Sequence, residues 1–395
     1  MKKIKKAVII TITILVVLAG FLYYRLQPVF ELGRIPVYKG NTDFTWKVPA
    51  YDSSKKTVII IADNDLTEIF DLLAPFYLFN ATGKANVYVV AEKKYPVTLS
   101  KGFFILPSFS FAEIDSLKIH PDVIVIPNQS VKVGKPQKAA TLKWIKDHYT
   151  TQNSILSICD GSVTAAATGL YDNKPLTTHA SDFNDAKKTY PKPTWVKNVS
   201  VTQSGNLFST AGVSNAVEGS LVVIKHLFGS EIMQKVLIDV KYPHSEIKMD
   251  HKSLPVNTGA IITVLSKIIF RKNLTLGVML QDGINEFELA GLIDTYTRTL
   301  PASIETFVSS GSSVTSKYGL VIYPTGNFHK KNFDEVHVLM PELITGADEK
   351  LLQTSTLVKY DQRQSQYPFD IYLSRIADLY GPKIKDGVKL MLDYN

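Results

Sequence analysis

The sequence predicts an α/β protein with a doubly wound parallel sheet, a tandem second unit and an N-terminal transmembrane helix. Three observations support this prediction. Apolar runs typical of buried parallel strands alternate with helical segments, a similar order of segments returns near the C-terminus, and a long uncharged run follows the first lysines. A chain of 395 residues, 45% of them hydrophobic, is large enough for two domains with separate cores.

The net charge of +8 is concentrated at the N-terminus, where residues 1–28 contain no acid but five basic residues: Lys2, Lys3, Lys5, Lys6 and Arg25. Residues 7–24 are uncharged and just long enough to cross a hydrocarbon core of roughly 30 Å. Because lysines favour the cytoplasmic side, we expect residues 1–28 to be an uncleaved signal anchor and the bulk of the chain to be extracytoplasmic. A cleaved signal peptide is the alternative, although no Ala-x-Ala-like site is evident.

The next segments follow in order. Residues 29–55 are expected to be a stalk, with at most one short strand at residues 44–48. Residues 56–245 form the first unit, in which strands and helices alternate. Its expected strands are residues 57–62, 87–91, 123–127 and 155–158, and its expected helices are residues 68–82, 142–148, 163–170, 215–228 and 231–240. In such a sheet, a site is expected at the carboxyl ends of the strands.

Residues 246–272 are expected to be a linker. Its apolar stretch, residues 260–270, is interrupted by Lys267 and is too short to span a bilayer, so it should pack on a domain or lie on the membrane surface. Residues 273–395 repeat the opening and closing segments of the first unit but omit the block that contains the cysteine. We therefore expect a degenerate second copy that arose by tandem duplication and is catalytically inactive.

The only cysteine, Cys159, lies within residues 153–179, where an apolar run, an early glycine and a run of small residues indicate a strand, a tight turn and a helix. A turn of this kind presents the side chain at its tip to the first N–H groups of the helix, which suits a nucleophile. A buried structural cysteine is the alternative. A single cysteine cannot form an internal disulfide.

Residues 159–162 (CDGS) and 168–179 (TGLYDNKPLTTH) resemble the Cys-x-Gly and Thr-Thr-His patterns of the ThiJ/PfpI superfamily, also called DJ-1/PfpI or class I glutamine-amidotransferase-like. Residues 208–214 (FSTAGVS) resemble a segment of the branch that contains isonitrile hydratase and the amidase-like domains of AraC-type regulators. The resemblance covers residues 56–244 well. It implies a flavodoxin-like fold and a cysteine nucleophile.

The resemblance also implies partners for the thiol. Asp71 matches the acid that approaches the cysteine from the first helix of the family domain, so it is the expected general acid or base, with Glu68 as the fallback. A solvated acid at a helix start is the alternative interpretation of Asp71. Glu288 holds the matching position in the second copy.

Three further positions match the family pattern. His179 corresponds to its histidine, for which a catalytic or orienting role and a structural role both remain open. The backbone N–H groups of Asp160 and Asn128 are the expected oxyanion donors. Two departures stand out: Asn128 replaces a common glycine, and Asp160 places a carboxylate beside the thiol. That carboxylate should raise the pKa of the thiol or cap the following helix.

The expected function is a membrane-anchored, cysteine-dependent hydratase or hydrolase that acts on a small electrophile such as an isonitrile, an aldehyde or an amide. The alternative is a non-enzymatic ligand-binding or redox-sensing module. The eight histidines lack metal-ligand spacing, and we find no phosphate-binding glycine loop or helix-turn-helix pair. No metal, cofactor or nucleic acid is therefore expected. The expected assembly is a homodimer or an intramolecular pairing of the two copies.

Overall fold

The structure is a computed structural model that describes residues 2–40, 49–100, 102–326, 332–360 and 366–395. The helices are α1 (Lys2–Leu32), α2 (Ile69–Ala81), α3 (Phe111–Ser116), α4 (Ala139–His148), α5 (Gly161–Ala167), α6 (Phe183–Thr189), α7 (Ala216–Phe228), α8 (Ser230–Asp239), α9 (Thr258–Phe270), α10 (Glu286–Thr297), α11 (Gly346–Leu352), α12 (Pro368–Tyr380) and α13 (Pro382–Leu392). The strands are β1 (Lys56–Ala62), β2 (Ala85–Ala91), β3 (Val97–Leu99), β4 (Phe103–Ile105), β5 (Phe109–Ser110), β6 (Val123–Ile126), β7 (Ser154–Ser157), β8 (Pro175–Leu176), β9 (Thr194–Trp195), β10 (Val201–Ser204), β11 (Leu207–Thr210), β12 (Thr275–Met279), β13 (Ser303–Phe307), β14 (Val314–Thr315), β15 (Val321–Pro324), β16 (Glu335–Val338) and β17 (Thr356–Lys359).

The main sheet has seven strands in the order β10-β11-β7-β6-β1-β2-β5, and all neighbours are parallel except β10 and β11. Successive residues of β1 point to opposite sides of this sheet. Val58 and Ile60 join the core that contains α2 and α7, whereas Ile59 and Ile61 join the core that contains α4 and α5. Because both faces are covered, the strand is a continuous apolar run. The predicted α/β fold with a doubly wound parallel sheet is confirmed.

A second sheet, β13-β12-β16-β17, is parallel throughout. Its strand β12, helix α10 and strand β13 follow in the same order as β1, α2 and β2 in the main sheet. The interpretation of residues 273–395 as a degenerate copy agrees with this order and stays a prediction.

The two units share one core. Helix α10 packs on α2, where the rings of Phe70 and Phe287 lie 5.3 Å apart. Strand β15 pairs with β4, so that a four-stranded sheet in the order β14-β15-β4-β3 takes strands from both units. The second unit therefore lies directly against the helix that carries Asp71.

The N-terminal helix is longer than the predicted anchor. Residues Ile4–Leu32 have a mean hydropathy of 2.4 in their most apolar window, and none of that window is buried in the protein. Length and composition thus allow this helix to cross a membrane. Its last residue, Leu32, joins the core, and Tyr38 packs edge-on against Phe104. The described part of the expected stalk thus lies against the body, while the strand expected at residues 44–48 lies outside the described residues.

The structure changes the bounds of two predicted helices. The helix expected at residues 163–170 starts at Gly161 and ends at Ala167, because Gly169 adopts a φ of 80° that ends the helical path. The helix expected at residues 142–148 begins three residues earlier, at Ala139. The apolar linker stretch is helical as predicted, and this helix, α9, packs on α13 and contacts α1.

Candidate functional site

Cys159 lies at the tip of the turn between β7 and α5. Its φ of 53° falls in the left-handed region, which is uncommon for a residue with a side chain. The strained backbone is held on both sides: the Cys159 N–H donates to Thr210 Oγ1 at 3.4 Å, and the Thr178 hydroxyl lies 3.0 Å from the Cys159 carbonyl oxygen. Such strain persists only where the surroundings enforce it, and it occurs preferentially at functional sites.

Gly161 allows this turn to pass close to the neighbouring strand. A Cβ at this position would lie 2.0 Å from the carbonyl oxygen of Ile126 and 2.8 Å from the backbone of Pro127. Both contacts are with backbone atoms, which cannot rotate away. The early glycine in the sequence is therefore required by the approach of the turn to the end of β6.

Asp71 is completely buried in the first turn of α2. Its Oδ2 accepts a hydrogen bond from the Asn128 N–H at 3.1 Å, whereas its Oδ1 has no hydrogen-bond partner within the described residues. Burial, followed by the charge of Glu68, raises the pKa of the Asp71 carboxyl well above its usual range. The protonated form of the carboxyl is therefore favoured relative to that of an exposed acid, and its Oδ1 lies inside the protein without a partner among the described residues.

The thiol of Cys159 is also neutral in this closed state. Cys159 is 2% exposed, and burial raises its pKa well above the usual value, with further contributions from the carboxyls of Asp71, Asp160 and Glu68. A hydrogen bond from the Asp160 backbone opposes this rise. The start of α5 does not lower the pKa overall, because desolvation of the thiolate outweighs the hydrogen bond.

The two backbone groups expected as oxyanion donors have different partners. The Asp160 N–H is directed at the thiol, while the Asn128 N–H is engaged by Asp71. The Asp160 side chain does not cap α5. It lies 2.8 Å from the Thr178 hydroxyl instead, and burial, followed by the nearby Asp182, raises its pKa to about 7.

His179 follows the strand segment that flanks the elbow, but it faces the C-terminus of the chain. Its Nδ1 accepts from the Ser181 N–H at 3.2 Å, and burial is the main cause of a lowered pKa, which keeps the imidazole neutral. The ring hydrogen-bonds to the backbone of Met391 and lies near Asp393. The structure places it at the edge of the site, and within the described residues no hydrogen bond joins it to Cys159.

Arg298, at the C-terminal end of α10, supplies the cation of the site. Burial lowers the pKa of its guanidinium, whereas the negative charges of Glu68, Cys159 and Asp71 raise it. The positive charge of Arg298 therefore lies near these three groups. The side chain is fixed by an ion pair with Asp294 and by a 3.0 Å hydrogen bond from Nε to the Met391 carbonyl oxygen. No local pattern in the sequence indicates this role, because Arg298 is an ordinary basic residue at a helix end.

The C-terminal residues around Asp393 lie over the FSTAGVS segment, next to the site. The Ser214 hydroxyl donates to the Asp393 carbonyl oxygen at 2.8 Å, and Asp393 pairs with His251 at 2.9 Å. A Cβ on Gly212 would lie 2.1 Å from the Asp393 side chain, so the segment FSTAGVS packs directly under the C-terminus. Sequence reasoning also missed this cover, since it depends on contacts between distant parts of the chain.

The chemistry of the site comes from a thiol, carboxyls and one guanidinium. Within the described residues, no group of three or more His, Cys, Asp or Glu side chains is placed to hold a metal ion.

Part of this chain is similar to several known proteins. Residues 55–226 match the model of the DJ-1/PfpI family. Isonitrile hydratase of Pseudomonas putida is 27% identical over 172 residues, which are 44% of this chain and 72% of that protein. Protein dj-1beta of Drosophila melanogaster is 28% identical over 144 residues, which are 35% of this chain and 73% of that protein. The crystal structure of a ThiJ/PfpI family protein from Pseudomonas syringae aligns with 65% of this chain and 97% of its own, at 19% identity and a TM-score of 0.43.

Proposed function

Because residues 55–226 form a DJ-1/PfpI family domain, as the resemblance in the sequence predicted, we propose that Cys159 is the nucleophile of a hydratase or hydrolase that acts on a small electrophile. Asp71 is its proton donor and acceptor. The similarity to isonitrile hydratase makes an isonitrile the first substrate class to test.

The observation that supports this proposal most strongly is the unpaired carboxyl of Asp71. A buried polar atom without a hydrogen-bond partner is costly, and a catalytic role is one of the recognised reasons for such an atom to persist. Here the atom belongs to a buried acid whose protonated form is favoured and whose carboxylate, when it forms, raises the pKa of the Cys159 thiol. A protonated acid beside a thiol can deliver a proton to an electrophile while sulfur forms a bond to carbon.

The proposed reaction has two stages, addition of the thiol to the isonitrile and hydrolysis of the adduct. Asp71 gives its proton to the terminal carbon of the isonitrile, Cys159 sulfur bonds to the same carbon, and the thiol proton passes to the Asp71 carboxylate. The product of this step is a thioimidate. Water then adds to its carbon, the carbon–sulfur bond breaks, and a proton returns to sulfur. The net result is an N-substituted formamide and the original thiol. During this sequence, the Arg298 guanidinium stabilises the negative charge on sulfur or the carboxylate.

Formamide production by the full chain in detergent, with cyclohexyl isocyanide as substrate, tests the proposal. Cys159→Ser should abolish turnover, and Asp71→Asn, which keeps the shape but cannot donate a carboxyl proton, should lower it about 100-fold. Asp147→Asn is the matched control, because Asp147 is a surface acid on α4 paired with Lys143. Unchanged turnover in Cys159→Ser, or an effect of Asp147→Asn equal to that of Asp71→Asn, would refute the assigned roles.

A second candidate function is a non-enzymatic redox sensor or ligand-binding module. The closed site and the neutral thiol favour the ligand-binding form of this alternative, since continuous turnover and peroxide oxidation both need access and a thiolate. If the site is instead a redox sensor, mild peroxide should convert Cys159 to a sulfenic acid that a thiol reductant reverses. Isonitriles, aldehydes and amides should then remain unconverted.

We also propose that α1 anchors the protein in a membrane, with its N-terminus in the cytoplasm and the remaining chain outside. The charge-free run between Lys6 and Arg25 and the exposed apolar surface of α1 support this arrangement. The second unit then serves as an intramolecular partner of the first, an inference supported by the packing of α10 on α2 and by the shared sheet. A homodimer is the alternative assembly.

A further inference from the structure

Helix α9 has the reverse of the polarity expected for a surface helix. Its only charged side chain, Lys267, is 2% exposed, and Nζ donates to the carbonyl oxygens of Thr299 at 2.9 Å and Leu300 at 3.2 Å. Large apolar side chains point outward instead, with Ile262 61% exposed and Phe270 81% exposed. A helix that faces water normally buries its apolar residues and exposes its charges.

The exposed apolar residues form one continuous face. Ile261, Ile262 and Leu265 are exposed, whereas Val264 and Ile268 are buried. Helical spacing places them next to each other along the outer surface, while Gly387 of α13 lies against Val264 on the inner side. Burial, with the nearby charges of Arg25 and Arg271, lowers the pKa of Lys267 to about 8. The inner position of this lysine is therefore costly, and it leaves the outer face without charge.

The location of α9 identifies what covers this face. The Arg25 guanidinium of α1 donates to the carbonyl oxygens of Ile268 and Arg271 at the C-terminal end of α9. Arg25 is the first charged residue after the uncharged residues 7–24, which at about 1.5 Å per residue span nearly the whole hydrocarbon core. It therefore marks the point at which α1 leaves the bilayer, and α9 is attached at that level.

We infer that α9 is an interfacial helix whose outer face, formed by Ile261, Ile262, Leu265 and Phe270, is buried in the bilayer that α1 crosses. This inference rests on the proposed anchor. The basic residues at the junction, Arg25 and Arg271, lie where lipid phosphates are found. Burial of an apolar helix face at the acyl boundary is the usual binding mode of such helices. Two attachments, one spanning and one interfacial, fix the orientation of the body on the membrane surface.

Spin-label accessibility in the full chain tests this inference. The native cysteine is removed by Cys159→Ala, and a nitroxide is placed at Ile262→Cys in protein reconstituted into vesicles of phosphatidylcholine and phosphatidylglycerol at about 3:1. Ile238→Cys on α8 is the matched control, because Ile238 is 70% exposed but lies on a different surface helix. Val16→Cys in α1 reports on the anchor itself.

The expected result is that the label at 262 collides with oxygen in preference to a water-soluble nickel chelate. The ratio of oxygen accessibility to nickel-chelate accessibility at position 262 should be several times the ratio at position 238 and close to the ratio at position 16. A water-like ratio at 262 together with a lipid-like ratio at 16 would overturn the interfacial helix and leave the anchor intact. Protection of 262 from both reagents, with dipolar broadening between labels, would show that a second copy covers this face and would also overturn the inference. A water-like ratio at 16 would refute the anchor and the inference together.

Discussion

Helices α2 and α10 pack on each other and carry acids in their first turns, but the surroundings of these acids differ. Asp71 on α2 is fully buried, near the thiol of Cys159 and the guanidinium of Arg298. Glu288 on α10 is partly exposed, and the charges that oppose its burial are those of Lys241 and Lys317. The acids in the first turns of these two helices therefore have different surroundings: Asp71 lies in a closed site, and Glu288 is opposed by lysines.

This difference indicates how a unit that lacks a cysteine can still influence the chemistry of the Cys159 site. The second unit contains no cysteine, since Cys159 belongs to the first. Instead it contributes Arg298 to the site, and the Asp393 region covers it. We interpret the second unit as the charge source and lid of a single site.

The largest difference in stability is expected between alanine substitutions at Gly161 in the first unit and Gly291 in the second. Gly161→Ala places a Cβ 2.0 Å from a backbone oxygen and should destabilise the protein by about 3 kcal/mol or more. Gly291→Ala is the matched control within α10, where the nearest atom lies 3.5 Å away. It should be neutral or stabilise by up to about 1 kcal/mol, because alanine favours a helix. Thermal denaturation of the full chain measures both, and equal losses of Tm would show that the elbow is not tightly constrained.

Two buried groups, Asp160 in the first unit and His337 in the second, should make opposite contributions to the pH dependence of stability. Burial raises the pKa of Asp160 to about 7, so the folded state binds the proton more tightly than the unfolded state. Its contribution to stability is present at low pH and is lost as the pH rises from about 4 to 7. Asp160→Asn should remove this decline, which is on the order of 2–4 kcal/mol at about 1.4 kcal/mol per pKa unit. Chemical denaturation at pH 4 and pH 8 tests this, and parallel curves for both proteins would argue against it.

His337 in β16 should show the opposite dependence. Burial, followed by the charge of Arg375, lowers its pKa to about 3, so the unfolded state binds the proton more tightly. The contribution of His337 to folding stability is present above about pH 6.5 and is lost as the pH falls toward 3. His337→Gln should flatten this acid loss, also on the order of a few kcal/mol. The same denaturation series at pH 4 and 7 measures it, and an acid loss as steep as that of the parent chain would contradict the prediction.

Substitution of Arg298 is expected to have a smaller effect, on the reactivity of the Cys159 thiol. Arg298→Met removes the positive charge near the thiol, which should raise the pKa of Cys159 further and slow its alkylation at neutral pH about tenfold. The matched control is Arg375→Met, because Arg375 pairs with Glu335 inside the second unit. If the two variants react with iodoacetamide at the same rate, the second unit does not supply charge to the site.

The sequence revealed the features that depend on local patterns. Strand β1 was recognisable as an apolar run, and the turn at Cys159 was recognisable from the adjacent strand and Gly161. Asp71 followed from its match to the family pattern. Each of these signals lies within a few residues of the feature that it predicts.

Features that depend on distant contacts were not predictable. Nothing near Arg298 indicates that α10 packs on α2 and brings this residue to the thiol. The raised pKa of Cys159 results from complete burial, which the elbow pattern alone does not reveal. The side chain of Asp160 was free to cap α5 by sequence, but Thr178 from a separate segment binds it instead.

The most direct test of the account is the pH dependence of Cys159 alkylation in the full chain and in Asp71→Asn. Because the chain has one cysteine, every alkylation event reports this site. We expect a thiol pKa above the ordinary value of about 8.5, and a lower thiol pKa in Asp71→Asn, since the Asp71 carboxylate raises the pKa of the thiol. An ordinary thiol pKa that is identical in both proteins would contradict the coupling of Cys159 with Asp71.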